Sequence, residues 1–292
     1  MARRNNQARL GAAAPDEDLE IQDTDDLTVT PPAKPLSFVV PTDIVKLPSG
    51  GSFYPKKHPL HGKKTVEVKF MTAKEEDILT SQSLLENGLA LDRLVQSIVI
   101  DKDLNAKTLL IGDKNAILIN ARKNGYGPDY TTTLTCPECT EQQEATYDLD
   151  SAVLVRAPSA TKLKAAKVGT TDEGQFTVTL PLSQVKIVFR LLTSKDESVL
   201  MTVSEKRRKR KMAERAVTDQ LKLMVVSANG ETDPDTLNQF VQSLTLKDSR
   251  SLREAYELVS PGVQMKEVFV CGACAFEDEI DFPVTTDFFW PQ

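Results

Sequence analysis

The residues best suited to chemistry in this sequence are its four cysteines, which fall into two pairs, CPEC (Cys136, Cys139) and CGAC (Cys271, Cys274). A C-x-x-C turn lets two thiolates reach one ion at about 2.3 Å, and a second pair completes a tetrahedron. Gly272 permits the tight turn this requires. The two pairs use every cysteine of the chain, so the spacing points to one structural zinc per chain held by Cys136, Cys139, Cys271 and Cys274. The alternatives are four unrelated thiols or a redox-active C-x-x-C. A thioredoxin-like pair opens a helix after a strand, whereas these turns join strands. Four thiolates leave no open position for water or substrate, which argues against a catalytic zinc. The two histidines, His58 and His61, read as loop residues rather than ligands.

Strands must carry these turns. Tyr130 to Thr135 leads into Cys136 and Gln143 to Leu149 leads away from Cys139, while Met265 to Val270 and Glu277 to Phe282 flank the second pair. Both pairs therefore sit at hairpin tips, in the arrangement of a zinc ribbon. Upstream, LPSGGSFYP (Leu47 to Pro55) demands turns at Pro48, Gly50, Gly51 and Pro55, and Phe53 and Tyr54 anchor this rigid entry loop apolarly. Thr65 to Phe70 alternates as a strand does. Thr72 with Glu75 forms a capping box that starts a helix through about Glu86, ended by Gly88. Further helices are predicted across Leu89 to Ile100 and from Asp113 to Asn124, before Gly125 and Gly127.

Between the hairpins, strands are predicted at Gln175 to Leu180 and Val185 to Leu192, and helices over most of the remainder. Ser194 with Glu197 gives a second capping box, with helical character to about Ser227 and Ala213, Val217, Leu221 and Met224 on one face. Asn229 and Gly230 close it. Shorter helices follow at Pro234 to Leu244 and Lys247 to Val259, stopped by Pro261 and Gly262. No internal repeat is visible.

Composition narrows the function classes. With 40% hydrophobic and 27% charged residues in 292, the chain is long enough to bury a core and falls in the globular range. A net charge of −6 does not suit a dedicated nucleic-acid binder. No run is apolar and long enough to cross a membrane, and the first residues lack the apolar core of a secretion signal, so a soluble chain in a reducing compartment is expected. Residues 1–40 combine a basic start with an acidic run from Asp16 to Asp26 and with Pro31, Pro32 and Pro35, which predicts a disordered or extended arm. No G-x-x-x-x-G-K-[ST], H-E-x-x-H or G-x-S-x-G occurs, and Glu75, Glu76 and Asp77 serve the positive end of a helix, so no enzyme is expected.

The strongest charge feature is KRRKRK, comprising Lys206, Arg207, Arg208, Lys209, Arg210 and Lys211. On a helix six consecutive cations wrap more than one face and repel one another unless acids or phosphates answer them. The readings are a solvated helix, docking to an acidic protein surface, or contact with nucleic acid, although no aromatic interleaving accompanies the run. These six residues, with Phe53 and Tyr54, are the candidate partner contacts.

Three segments, LPSGGSFYPKKHPLHGK, MTAKEEDILTSQSLLENGLALDRLVQSIV and LLIGDKNAILINARKNGYGPDY, followed by CPEC, together resemble the baseplate hub proteins of T-even-type contractile-tailed bacteriophages. The likeness runs from about Leu47 to Cys139 and rests on the order of loop, strand, helices, GYGPDY turn and cysteine pair. The resemblance implies an assembly role through contacts with other phage baseplate or tail proteins, in the host cytoplasm during assembly and then in the virion tail baseplate. It implies no small-molecule substrate. The acidic arm and the basic run depart from the family pattern.

The expected architecture is α+β, with a helical subdomain near residues 65–125, a four-cysteine zinc-ribbon-like unit made from two distant hairpins, and a helix-rich insertion between them. The expected segments are an arm over 1–40, the entry loop, helices and first hairpin over 41–150, the insertion over 151–261, and the second hairpin with a tail over 262–292. A nucleic-acid-binding adaptor using residues 206–211 and a zinc-dependent enzyme are the alternative functions.

Overall fold

Two alternating stretches, β1 (Thr42–Lys46) and β2 (Thr65–Lys69), pair antiparallel with Val45 opposite Val66. Val45, Val66 and Val68 are buried on one face, as a period of two requires. The structure is a computed structural model describing residues 39–282, 284 and 286–289. The arm expected over residues 1–40 lies outside the described residues apart from its last two. The loop joining the two strands is the predicted entry loop. Gly51 is obligatory there: its φ is +75°, and a side chain would press on the backbone of Leu60 and Lys63 at 2.5 Å.

Helices α1 (Ala73–Thr80), α2 (Gln82–Glu86), α3 (Ala90–Ile98) and α4 (Ile111–Tyr126) follow. Thr72 and Glu75 form the predicted capping box on α1. The single helix expected to Glu86 is broken instead at Ser81, whose ψ of 105° leaves the helical region, among Thr80, Ser81 and Ser83, which are weak helix formers. Gly88 at φ +65° reverses the chain before α3. Helices α3 and α4 bury Leu94, Val95, Ile98, Ile117 and Leu118. Lys114 of α4 is 4% exposed, 3.6 Å from Asp92 of α3 and ion-paired with Glu197, so its charge is answered from two other elements.

The ribbon strands are β3 (Asp129–Thr135) and β4 (Gln142–Asp148), then β11 and β12 near the end of the chain. Between them lie β5 (Val153–Val155), α5 (Ala160–Ala165), β6 (Gly169–Thr170), β7 (Phe176–Thr179) and β8 (Lys186–Phe189). After these come α6 (Ser194–Lys209), α7 (Ala216–Met224), β9 (Val225–Ala228), α8 (Pro234–Ser243), α9 (Leu246–Val259) and β10 (Gly262–Gln264). β11 is Lys266–Val270 and β12 is Glu277–Asp281.

Between the hairpins the strands expected at Gln175 to Leu180 and Val185 to Leu192 are β7 and β8, helices α5 to α9 fill much of the remainder, and β6 and β9 are additional strands. Strands β6, β7, β8 and β9 form an antiparallel sheet whose Phe176, Val178, Ile187 and Phe189 are buried. Phe53 of the entry loop packs against Phe176 at 5.1 Å, so the loop reaches this sheet. The capping box of α6 lies one residue earlier than predicted. Thr193 gives its amide and its hydroxyl to Asp196, both at 2.8 Å, and Asp196 also takes two bonds from Arg190. Nor does the helix run to Ser227. It stops at Lys209, where like charges crowd successive turns and Glu205 is the acid facing Lys209, at 4.0 Å. Lys211, at φ 52°, folds the chain back, and α7 then presents Asp219 to Arg207. Ala213 thus sits in the connection, while Leu221 and Met224 enter the core.

One pairing was not foreseen. β10 pairs antiparallel with β5, with Val263 opposite Leu154, so the chain returning to the second hairpin is zipped to the chain leaving the first. Helix α4 packs against β10, and Gly112 makes this possible. A methyl there would overlap the Pro261 carbonyl oxygen and come within 2.7 Å of its carbon.

Candidate metal centre

Each hairpin ends in the same backbone knuckle. In the first, the Cys136 amide donates to the Glu141 carbonyl at 2.8 Å and the Thr140 amide returns to the Cys136 carbonyl at 3.0 Å. In the second, Cys271 donates to Phe276 at 2.8 Å and Ala275 to Cys271 at 2.9 Å. Thr140 and Ala275 hold corresponding left-handed positions, at φ 61° and 57°. The knuckles are built by strands with aromatic feet: Tyr147 lies 5.1 Å from Phe282, and Tyr130 lies 4.8 Å from Phe288. Arg122 of α4 sits 4.9 Å from the Tyr126 ring centre and donates Nε to the Phe288 carbonyl at 2.9 Å, fixing that base to the helices.

The four predicted cysteines meet. Their Sγ atoms all lie within 4.8 Å of one another. Across the hairpins Cys136 Sγ is 3.7 Å from Cys274 Sγ, and Cys139 Sγ is 3.6 Å from Cys271 Sγ. A tetrahedron of thiolates about 2.3 Å from a central ion has edges of about 3.8 Å, so these separations fit a metal site. They are far longer than a disulfide bond of about 2.05 Å. Cys136 and Cys271 are buried and Cys139 and Cys274 face outward.

The thiols do not titrate alike. Amides of Cys274 and Ala273 pull Cys271 down to about 7. The Phe276 amide pulls on Cys274 as well, yet the crowding Cys139 thiol, burial, and the Cys271 and Cys136 thiols push it up to about 12. The Glu141 amide and the Cys274 thiol pull Cys139 down, but desolvation and the Cys271 and Cys136 thiols outweigh them and raise it. Four thiolates this close repel one another, and a cation among them offsets that repulsion. Four sulfur donors in this arrangement suit zinc or iron, not the oxygen-seeking magnesium or calcium.

Gln143 was not anticipated from the sequence. Its Nε2 donates to the Val270 carbonyl at 2.9 Å and its Oε1 accepts from the Gly272 amide at 2.9 Å, so it joins the two knuckles. Spacing alone could not mark it, because one glutamine on a solvent-facing strand resembles any other.

The other candidates are scattered. Lys206, Arg208, Lys209, Arg210 and Lys211 are exposed at the end of α6 and just beyond, whereas Arg207 is tethered to Asp219. Phe53 is half-buried on the core. Tyr54 is 3% exposed, with its hydroxyl turned onto Asp113, which takes it off the surface expected for a partner contact. The ring of His58 stacks on Tyr54 at 4.3 Å, and Nδ1 of His61 bonds the Tyr54 carbonyl at 2.7 Å, so both histidines brace the loop.

Fold and site together define a mixed helix-and-sheet protein whose clustered thiols suit a structural role. The family described as T4 bacteriophage base plate protein matches residues 41–290, and the chain belongs to that family. The match takes in both cysteine pairs and the whole segment between them. Searches of curated proteins and of solved structures gave no match. Membership assigns a structural role in a phage tail baseplate and implies other baseplate proteins as partners. Among the described residues no helix is long and apolar enough to cross a membrane.

Proposed function

We propose that this protein docks other subunits in the hub region of a contractile tail baseplate, with one zinc ion per chain held by Cys136, Cys139, Cys271 and Cys274. The observation that carries the zinc assignment is the meeting of four Sγ atoms within 4.8 Å from turns 132 positions apart in the chain. When bound, zinc supplies a closed crosslink and no chemistry on a substrate. The residues present do the positioning: the knuckle amides turn toward the sulfurs, and the aromatic feet hold both hairpins to α4. Assembly begins in the host cytoplasm, and the finished protein resides in the tail.

The exposed cations from Lys206 to Lys211 are the proposed contact for an acidic surface on a neighbouring subunit. Projecting charges of one sign set association rate and partner choice more than affinity. The deciding experiment removes the protein from an infecting phage and images tail intermediates. Tails should stall before a complete baseplate forms; normal infectious tails overturn the reading. Elemental analysis of protein purified without chelator should give one zinc per chain, and none overturns the metal assignment. Strong, salt-sensitive binding to random-sequence DNA overturns the protein-docking role of the basic run.

A further inference from the structure

The two knuckles are near-copies, and the place where they differ identifies a further residue of the metal site. Matching the first cysteine of each pair places Pro137 on Gly272, Thr135 on Val270 and Asp278 on Gln143. Gln143 uses both ends of its amide, giving a proton to the Val270 carbonyl and accepting one from the Gly272 amide. The reciprocal clamp cannot exist. Proline has no N–H, so nothing at position 137 can donate to a side chain arriving from the second hairpin. Among the described residues the amide clamp between the knuckles is therefore one-sided and comes from Gln143, beside the packing of Cys136, Phe269 and Cys271.

Its chemistry is specific. One side chain must donate to a carbonyl and accept from an amide at the same time, which glutamine does and an ionised glutamate does not. The accepting bond lands on the amide directly after Cys271, and the donated proton lands on the carbonyl directly before it. Gln143 thus brackets one cysteine of the second hairpin while its own strand carries the first pair.

We infer that Gln143 is a positioning residue for the metal: it sets the separation of the two cysteine pairs before an ion arrives and holds the Cys271 loop in the ligating conformation. The inference rests on the zinc reading given above. Partners behind a metal's ligands fix the orientation of those ligands, and their loss costs about 10- to 100-fold in metal affinity.

The test uses the full chain and zinc alone as the probe. Gln143→Met keeps the side-chain length and removes both bonds, Gln143→Glu keeps the acceptor and adds an anion beside four thiolates, and Gln142→Met is the exposed neighbour used as control. Zinc affinity is measured by competition with a coloured chelator, and zinc-free melting is measured in parallel. Gln143→Met should bind one zinc per chain about 10- to 100-fold more weakly and release it faster. The Gln143→Glu loss should be at least as large, and Gln142→Met should match the wild type. Zinc-free Gln143→Met should melt like zinc-free Gln142→Met, which separates positioning from a general loss of stability. An affinity for Gln143→Met within about twofold of wild type overturns the inference while leaving the zinc site standing. A wild-type chain that binds no zinc overturns both.

Discussion

The Tyr54 hydroxyl donates to Asp113 at 2.7 Å and accepts from the Leu110 amide at 3.1 Å, joining the entry loop to the first turn of α4 through one oxygen. Asp113 also takes the Ser49 amide at 2.9 Å and the Ser49 hydroxyl at 2.5 Å. Burial pushes the Asp113 carboxyl up, and its bonds to Ser49 and Tyr54 pull against it. A loop rich in glycine and proline is thereby held by one buried acid.

Replacing Tyr54 with Phe removes that oxygen and leaves a buried amide without an acceptor. The expected loss is about 1–3 kcal/mol in urea unfolding, since an orphaned buried polar group costs that much. A variant as stable as the wild type would show that the clamp is dispensable.

Stability should also fall in mild acid through Glu75. Burial alone would raise its carboxyl, but bonds from Lys69, Ser97 and the Thr72 hydroxyl and amide lower it from the usual 4.5 to about 2. A depressed carboxyl binds protons more readily in the unfolded chain. Its contribution is complete above about pH 4.5 and is lost as the pH falls toward about 2. Glu75→Gln should flatten the stability profile across that window and lower stability at neutral pH. An unchanged slope would exclude Glu75 as its source.

Gly112→Ala places a methyl against the Pro261 carbonyl, and backbone lies on both sides of the clash. The strain should cost about 1–3 kcal/mol or prevent folding. A Tm equal to that of the wild type would mean that α4 and β10 separate easily.

Metal removal and ligand loss should be one perturbation. Structural zinc can contribute about 10–16 kcal/mol of apparent binding free energy, comparable with the stability of a whole domain. A chelator should therefore lower the Tm of the wild type sharply and barely move Cys271→Ser, which should already melt low. Equal further losses in both proteins, or an unchanged Tm and zinc content in Cys271→Ser, would break the link between the ion and the fold.

The elements with local signals were legible in the sequence. The capping box at Thr72 and Glu75, the glycines around the entry loop and the strands beside each cysteine pair were placed within a residue or two, because each depends on residues adjacent in the chain. The cysteine cluster was legible because metal chemistry restricts both residue type and spacing. The failures share one physical cause. Val225 and Val226 extend a helical period, yet they become strand because β8 offers a hydrogen-bonding edge that local propensity does not encode. The three-residue pairing of β5 with β10 is too short to leave a pattern. Thr193 and Asp196 share the capping spacing of Ser194 and Glu197, and Arg190 selects between them by binding Asp196.

The β5–β10 pairing also closes the long segment between the hairpins into a loop with a single neck. Val155 lies opposite Gly262, so the covalent path from residue 156 to residue 261 leaves and rejoins the body at one place. At the other end of the pair Val153 lies opposite Gln264, so both strands enter the two hairpins side by side. The sheet and helices between the hairpins thus hang from one neck of three residue pairs, and changes of length within that excursion need not alter the spacing of the two cysteine turns.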